Sequence, residues 1–129
     1  MAFGSATVLT SLGRAVTTNR LKGAGTEPLF VGVGVGATGA ARTAVVGDTA
    51  LSSAVESRVS GTSTQQTTST TNDTYQVVGT VTATSARAVD EAGLFDASTS
   101  GNMYLSATFP VVNLSTGDSI QATLKVQYS

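Results

Sequence analysis

The chain has 129 residues and a net charge of −1, and it contains neither cysteine nor histidine. This length suits a single domain, and the missing residues exclude disulfides, thiolate metal sites and the commonest general base. Only 12% of the residues are charged, about half the usual share, and threonine and serine take their place. Such a composition is typical either of a β-domain with a hydroxyl-rich surface or of a subunit that functions within a polymer.

The distribution of charge and hydrophobicity argues against nucleic acids and membranes as partners. The densest basic cluster is Arg14, Arg20 and Lys22, and no aromatic residue lies among them. No apolar run approaches the roughly 20 residues that a membrane helix requires. Residues 1–11 lack a basic segment followed by a long apolar one, so we expect the protein to be made and folded in a cytoplasm.

A short N-terminal helix is predicted within residues 6–21. Val8, Leu12 and Val16 recur at helical spacing, Ser5 is a candidate N-cap, and Gly23 is a candidate end. The alternative is an extended arm, because a glycine and several threonines in this stretch weaken a helix.

Residues 29–36, with the sequence LFVGVGVG, predict a strand with one aliphatic face and one glycine face. The glycine face implies the close approach of another backbone or side chain. A phosphate-binding loop is rejected, because the lysine and hydroxyl residue of that motif are missing.

Two stretches are poor in large side chains. Residues 37–48 predict a small, flexible loop. Residues 60–73 consist of hydroxyl, amide and glycine residues with one aspartate, and have no aliphatic residue at either parity. We expect this second stretch to form an exposed strand or hairpin arm, with a disordered loop as the alternative.

The second half of the chain alternates strictly between apolar and polar residues in three segments: 75–83, 103–109 and 120–128. This pattern predicts strands that bury one face and expose the other, as in antiparallel sandwiches. On this basis we expect Tyr104, Ser106 and Thr108 to lie on the solvent-exposed face of their strand. Residues 87–96 predict a strand with a bulge or bend at Gly93, and with Arg87 pairing with Glu91.

The fold predicted is all-β, an antiparallel sandwich or jelly-roll-like domain. One domain spans residues 1–129, with an arm or short helix over 1–25 and the sandwich over 26–129. The residues expected in its core are Leu29, Val31, Val33, Val77, Val81, Leu94, Leu105, Phe109, Ile120, Leu124 and Val126.

No set of residues in the sequence fits a catalytic site well, so we expect no enzymatic activity, no cofactor and no metal. The carboxylates Asp90, Glu91 and Asp96 could serve a glycosidase, but turn acids and one ion pair explain them better. Asn72 and Asp73 are the nearest approach to a calcium loop, and no correctly spaced second acid accompanies them. No base lies near any serine or threonine in the sequence.

Three stretches together resemble a family of small structural proteins of tailed bacteriophages. They are RLKGAGTEPLFVGVGVG at 20–36, VSGTSTQQTTSTTNDTYQVVGTVTA at 59–83, and EAGLFDASTSGNMYL with GDSIQATLKV within 91–126. Within that group the resemblance places the chain with the capsid decoration, or cement, proteins. The E-x-GLF-x-A segment is also similar to the N-terminal domains of tail-fibre proteins.

The resemblance implies a virion protein, a β-sandwich with partner-binding surfaces, and it leaves the partner subunit open. Our leading hypothesis is a protein on the capsid surface, made in the host cytoplasm, that binds and stabilises the assembled major capsid shell. Under this hypothesis we expect self-association as a homotrimer. The charge and hydropathy of the sequence predict neither nucleic acid nor membrane as a partner. The alternative is a tail-associated adaptor or fibre-base protein that could bind the host surface. The residues expected to contact partners are Arg14, Arg20, Thr64, Gln65, Gln66, Thr67 and Thr68.

Overall fold

The computed structural model describes residues 7–37 and 42–128, which form one helix and eight strands in two antiparallel sheets. The elements are β1 (Thr7–Leu9), α1 (Ser11–Leu21), β2 (Phe30–Val35), β3 (Ser53–Ser60), β4 (Thr62–Gln66), β5 (Thr74–Thr82), β6 (Arg87–Phe95), β7 (Met103–Leu114) and β8 (Ser119–Gln127). The all-β class with a short N-terminal helix is confirmed.

The five-stranded sheet has the order β1-β7-β6-β2-β3, and the three-stranded sheet has the order β4-β5-β8. The chain crosses from one sheet to the other at Gly61, between β3 and β4. A Cβ on Gly61 would lie 2.5 Å from Cγ1 of Val77, so only glycine fits this corner. As a result β3 and β4, which are edge strands of the two different sheets, lie at the same side of the sandwich.

The core lies between the two sheets, as the alternating pattern predicted. Of the residues expected there, nine are buried: Val31, Val33, Val77, Val81, Leu94, Leu105, Phe109, Ile120 and Leu124. Leu29 and Val126 pack against this cluster but are only half-buried. The register of β5 and β8 places Val77 opposite Leu124 and Val81 opposite Ile120, so one parity of each strand faces inward.

The prediction that Tyr104, Ser106 and Thr108 form a solvent-exposed face of β7 is wrong, because all three residues are buried. Residues 103–109 are buried at every position. Helix α1 packs on β7, and Asp48, from the segment before β3, bonds to Ser106 on this strand. The five-stranded sheet therefore has covering on both of its faces over β7.

The expected irregularity at Gly93 is also misplaced. Gly93 pairs regularly with Gly32 and Ser106, and the register shifts occur on either side of it. The extra residues belong to β7, where one of the bulges includes Tyr104. A bulge redirects the side chains around it, and here it turns Tyr104 towards Tyr75 of the other sheet.

Helix α1 begins later than predicted. Thr10 is its N-cap, and its side chain accepts a hydrogen bond from the Gly13 amide at 2.9 Å. The preceding residues 7–9 pair with β7 as a strand, and Ser5 lies outside the described residues. A Cβ on Gly13 would lie 2.3 Å from the carbonyl oxygen of Tyr104, so this glycine lets the helix contact the sheet closely.

As predicted, side chains of other strands lie close to the glycine face of β2. A Cβ on Gly34 would lie 2.4 Å from Oε1 of Glu91 and 2.8 Å from the carbonyl oxygen of Ser53. At Gly32, the stem of Arg58 takes the space, and the Arg58 guanidinium lies 3.4 Å from the centroid of the Phe95 ring.

Glu91 is fully buried, and its partner is Arg42 instead of the expected Arg87. Arg42 Nη2 donates to Glu91 Oε2 at 3.1 Å, and the Ser53 amide donates to Oε1 at 3.1 Å. Arg42 also binds Asp48 through Nη1, and Ser106 Oγ donates to Asp48 Oδ2 at 2.7 Å. The segment expected to be a flexible loop thus supplies, at residues 42 and 48, the charges that neutralise and extend a buried network.

Arg87 pairs with Glu56 in the bulge of β3. Glu56 has a left-handed backbone, with φ of 61°. Its carboxylate accepts from Arg87 Nε at 2.9 Å and from the amide and hydroxyl of Thr84. These hydrogen bonds lower the pKa of Glu56.

The Gly34→Ala substitution tests the packing around Glu91. The added methyl group would collide with the Glu91 carboxylate and with backbone, so we expect the free energy of unfolding to fall by about 1–3 kcal/mol. Urea unfolding followed by circular dichroism measures this change. Gly47→Ala is the matched control, because a Cβ at Gly47 meets nothing within 4 Å; equal effects of the two substitutions would contradict this account.

Candidate partner-binding surfaces

Five of the seven residues expected to contact partners lie together in one β-hairpin. Residues 64–66 belong to β4, and Thr67 and Thr68 begin the loop that leads to β5. All five are exposed. The predicted exposed strand or hairpin arm is confirmed, and β4 pairs along its whole length with β5.

The loop of this hairpin is ordered by the carboxylate of Asp73. Its two oxygens accept from the amides of Thr68, Ser69 and Thr70 at 2.9, 3.0 and 2.9 Å. These hydrogen bonds, the Thr70 bond foremost, place the pKa of Asp73 far below its ordinary value. Because the carboxylate is surrounded by N–H donors, its chemistry is that of a loop anchor and not of a cation ligand.

The outer face of the three-stranded sheet is polar and nearly uncharged. The ladder aligns Thr64 with Gln76 and Lys125, and the same parity repeats along all three strands. The remaining side chains of this face on the described strands are Thr62, Gln66, Thr74, Val78, Thr80, Thr82, Ser119, Gln121, Thr123 and Gln127. Lys125 is the one charged side chain among them, so hydroxyl and amide groups dominate the surface.

Arg14 and Arg20, the two other expected contact residues, lie on α1 and are exposed. Arg20 Nη1 donates to the carbonyl oxygen of Gly25 at 2.8 Å and thereby fixes the turn after the helix. The hairpin residues belong to a different element, and residues 127 and 128 provide one indirect link between the two groups. Gln127 bonds to Asp73 in the hairpin, and the Tyr128 hydroxyl lies 3.0 Å from Thr17 Oγ1 on the helix.

A cluster of the chain's three tyrosines forms a feature that the sequence analysis missed. Tyr75 and Tyr104 meet edge to face, with ring centroids 6.0 Å apart, and the hydroxyl of Tyr104 bonds to that of Tyr128. The rings line an open cavity of about 330 Å³ beside α1, together with Val16, Thr17, Arg20, Leu21, Glu27 and Pro28. Leu21 is 83% exposed at its rim.

The polar groups of this cavity are largely bonded to one another. Tyr75 donates to the carbonyl oxygen of Pro28 at 2.8 Å and contacts Glu27 at 3.2 Å. Burial, followed by the charge of Glu27, raises the pKa of Tyr75, and burial raises that of Tyr104. The cavity therefore offers ring surface and few unsatisfied donors. One signal was present in the sequence: all three tyrosines fall at strand ends.

All eight carboxylates of the chain accept hydrogen bonds within the fold. Asp90 accepts from the Ala37 amide, Asp96 holds Asn102, and Asp118 accepts from the Ser115 amide. The others are Glu27, Asp48, Glu56, Asp73 and Glu91, described above. Among the described residues no three acids are grouped so that they could hold a metal ion. Asp90, Glu91 and Asp96 thus each bond to a different part of the fold.

The described part of the chain contains no helix that is long and apolar enough to cross a membrane. No family of known proteins, no curated protein and no solved structure matches this chain.

The Asp73→Asn substitution tests the anchoring of the hairpin loop. Because the pKa of Asp73 is lower in the folded chain than its ordinary 3.8, the carboxylate stabilises the fold above about pH 4, and this stabilisation is lost as the pH falls towards the folded pKa. We expect the variant to have a lower urea midpoint at neutral pH and to converge with the wild type in acid.

The matched control is Asp118→Asn, which alters an exposed turn where the carboxylate accepts one backbone hydrogen bond, from Ser115. We expect a smaller loss for it at neutral pH. Identical acid profiles of the wild type and the Asp73→Asn variant would show that the loop does not depend on this charge.

Proposed function

We propose that this chain is a structural protein of a tailed bacteriophage particle, made in the host cytoplasm and located on the capsid surface. There it binds the assembled major capsid protein and stabilises the shell. It acts by contact between protein surfaces and carries out no reaction.

The observation that carries this proposal is the exposed, nearly uncharged face and edge of the three-stranded sheet. Apart from Val78 and the buried Thr74, threonine, serine and glutamine side chains cover β4 and the outward parity of β5 and β8, with Lys125 as the one charge on the described strands of this face. Such a surface lacks the charge that normally keeps free proteins apart. It suits a subunit that stays in contact with other chains.

The acid groups support the same proposal. Each carboxylate is occupied in holding a loop, a strand pair or an arginine, as with Asp73, Glu56 and Glu91. A general acid or base needs a carboxyl group that can reach a substrate within hydrogen-bond distance. Such groups engaged in internal structure fit a binding protein better than a hydrolase.

Stabilisation of a shell follows from multivalency. A small domain that touches two neighbouring shell subunits makes the second contact intramolecular, which raises its effective affinity without stronger individual contacts. Weak polar surfaces can then resist the outward pressure of a packaged genome when many copies act together. The proposed location on a phage capsid rests on the sequence resemblance to tailed-bacteriophage proteins. That resemblance lies in residues 20–36, 59–83 and 91–126.

The copy number of this chain per particle tests the proposal. A decoration protein should occur at a copy number comparable with that of the major capsid protein, measured by gel densitometry of purified particles. A few copies per particle would instead assign the chain to the tail, as an adaptor or fibre-base protein.

Reconstitution provides the second measurement. Particles stripped of this protein should lose resistance to heating, and added purified protein should restore it. The Gly47→Ala variant, which leaves the surface of the three-stranded sheet intact, should restore it equally well. Full heat resistance of the stripped particles would contradict a stabilising role.

A further inference from the structure

In the described part of the chain the two sheets end in four edge strands, and three of these edges carry features that block pairing with another strand. β1 has only three residues. β3 is interrupted by the bulge at Glu56, where the ion pair with Arg87 lies. β8 carries Lys125 and packs beside β1. Short length, bulges and lysine are the devices by which natural sheets protect their edges.

The fourth edge strand, β4, has none of these devices. Its sequence TSTQQ contains no charge and no proline, and its register with β5 is unbroken. Every one of its residues except Ser63 is exposed. An unprotected edge presents a row of backbone N–H and C=O groups that can pair with another strand.

We propose that β4 binds β4 of a second copy of this chain, antiparallel and across a two-fold axis at Thr64. In this register Thr64 faces Thr64 of the second copy, Thr62 faces Gln66, and Ser63 faces Gln65. Hydroxyl and amide side chains pair favourably across strands, and the lack of charge removes the repulsion that self-pairing usually meets.

The two three-stranded sheets then join into one sheet of six strands, with β8 at both outer edges. The contact is isologous, so it closes at two copies, and Lys125 on the terminal strands opposes further growth. A three-fold assembly would have to use another surface. The pairing concerns this chain's own edge and does not depend on whether the capsid shell is the partner.

The pairing surface is small, because β4 has five residues. Stable interfaces usually bury about 1,600 Å² in total, so we expect an association that depends on protein concentration. On a particle surface, the high local concentration of copies would favour the paired state.

The experiment places a charge at the two-fold position. The Thr64→Lys variant sets two ammonium groups opposite each other, and its dissociation constant should rise by about tenfold or more. Thr80→Lys is the matched control, because it adds the same charge to the same outer face on the central strand β5. Analytical ultracentrifugation over a range of concentrations measures both, and circular dichroism checks that each variant folds.

Charge reversal supplies the second arm. An equal mixture of the Thr64→Lys and Thr64→Glu variants should recover dimers, because opposite charges then meet at the axis. Amide hydrogen exchange in β4 should also slow as the wild-type concentration rises. A wild type that remains monomeric throughout, a trimer insensitive to Thr64→Lys, equal effects of Thr64→Lys and Thr80→Lys, or no recovery on mixing would each overturn the proposal.

Discussion

The fold depends on a carboxylate that has no access to water. Glu91 lies on β6 inside the five-stranded sheet and is 0% exposed. A buried charge is tolerated only when it is paired and hydrogen-bonded, and removing one partner of such a pair typically costs about 3–5 kcal/mol. The chain meets this requirement with Arg42, the Ser53 amide and the space left at Gly34. The segment before β3 is therefore held against the sheet by charge, since it has few large apolar side chains.

This constraint gives the two sheets different roles. The five-stranded sheet is covered by the other sheet on one face and by the charged network of Arg42 and Asp48 on the other, and α1 packs on its strand β7. Burial works to raise the pKa of Asp48, but hydrogen bonds from Ser106, the Val45 amide and Arg42 outweigh it and lower the pKa. In the described residues the outer face of the three-stranded sheet is covered only at the hairpin loop, where Thr68 bonds to the buried Thr74. The rest of this face and the edge at β4 remain for contacts with other chains.

One end of the molecule joins the helix, the hairpin and the last strand. Asp73 holds the hairpin loop and Gln127, and the backbone amide of Tyr128 donates to the carbonyl oxygen of Asp73. The ring of Tyr128 then reaches Thr17 on α1 and the hydroxyl of Tyr104. A partner that docks on the hairpin would thus press on a region tied by hydrogen bonds to the helix. This connection gives the tyrosine cluster a structural role beside its open cavity.

The sequence by itself determined the fold class, the inward parity of β5 and β8, and the exposed hairpin, because each depends on local alternation of side chains along a strand. It also indicated that the glycine face of β2 receives close neighbours. Only the tertiary structure decided that Glu91 pairs with Arg42, that the second face of β7 is buried, and that Tyr104 turns towards Tyr75. The partners in these contacts are dozens of residues apart, or a bulge changes the parity, so no periodic pattern records them. The unprotected edge of β4 likewise follows from strand order, which alternation leaves open.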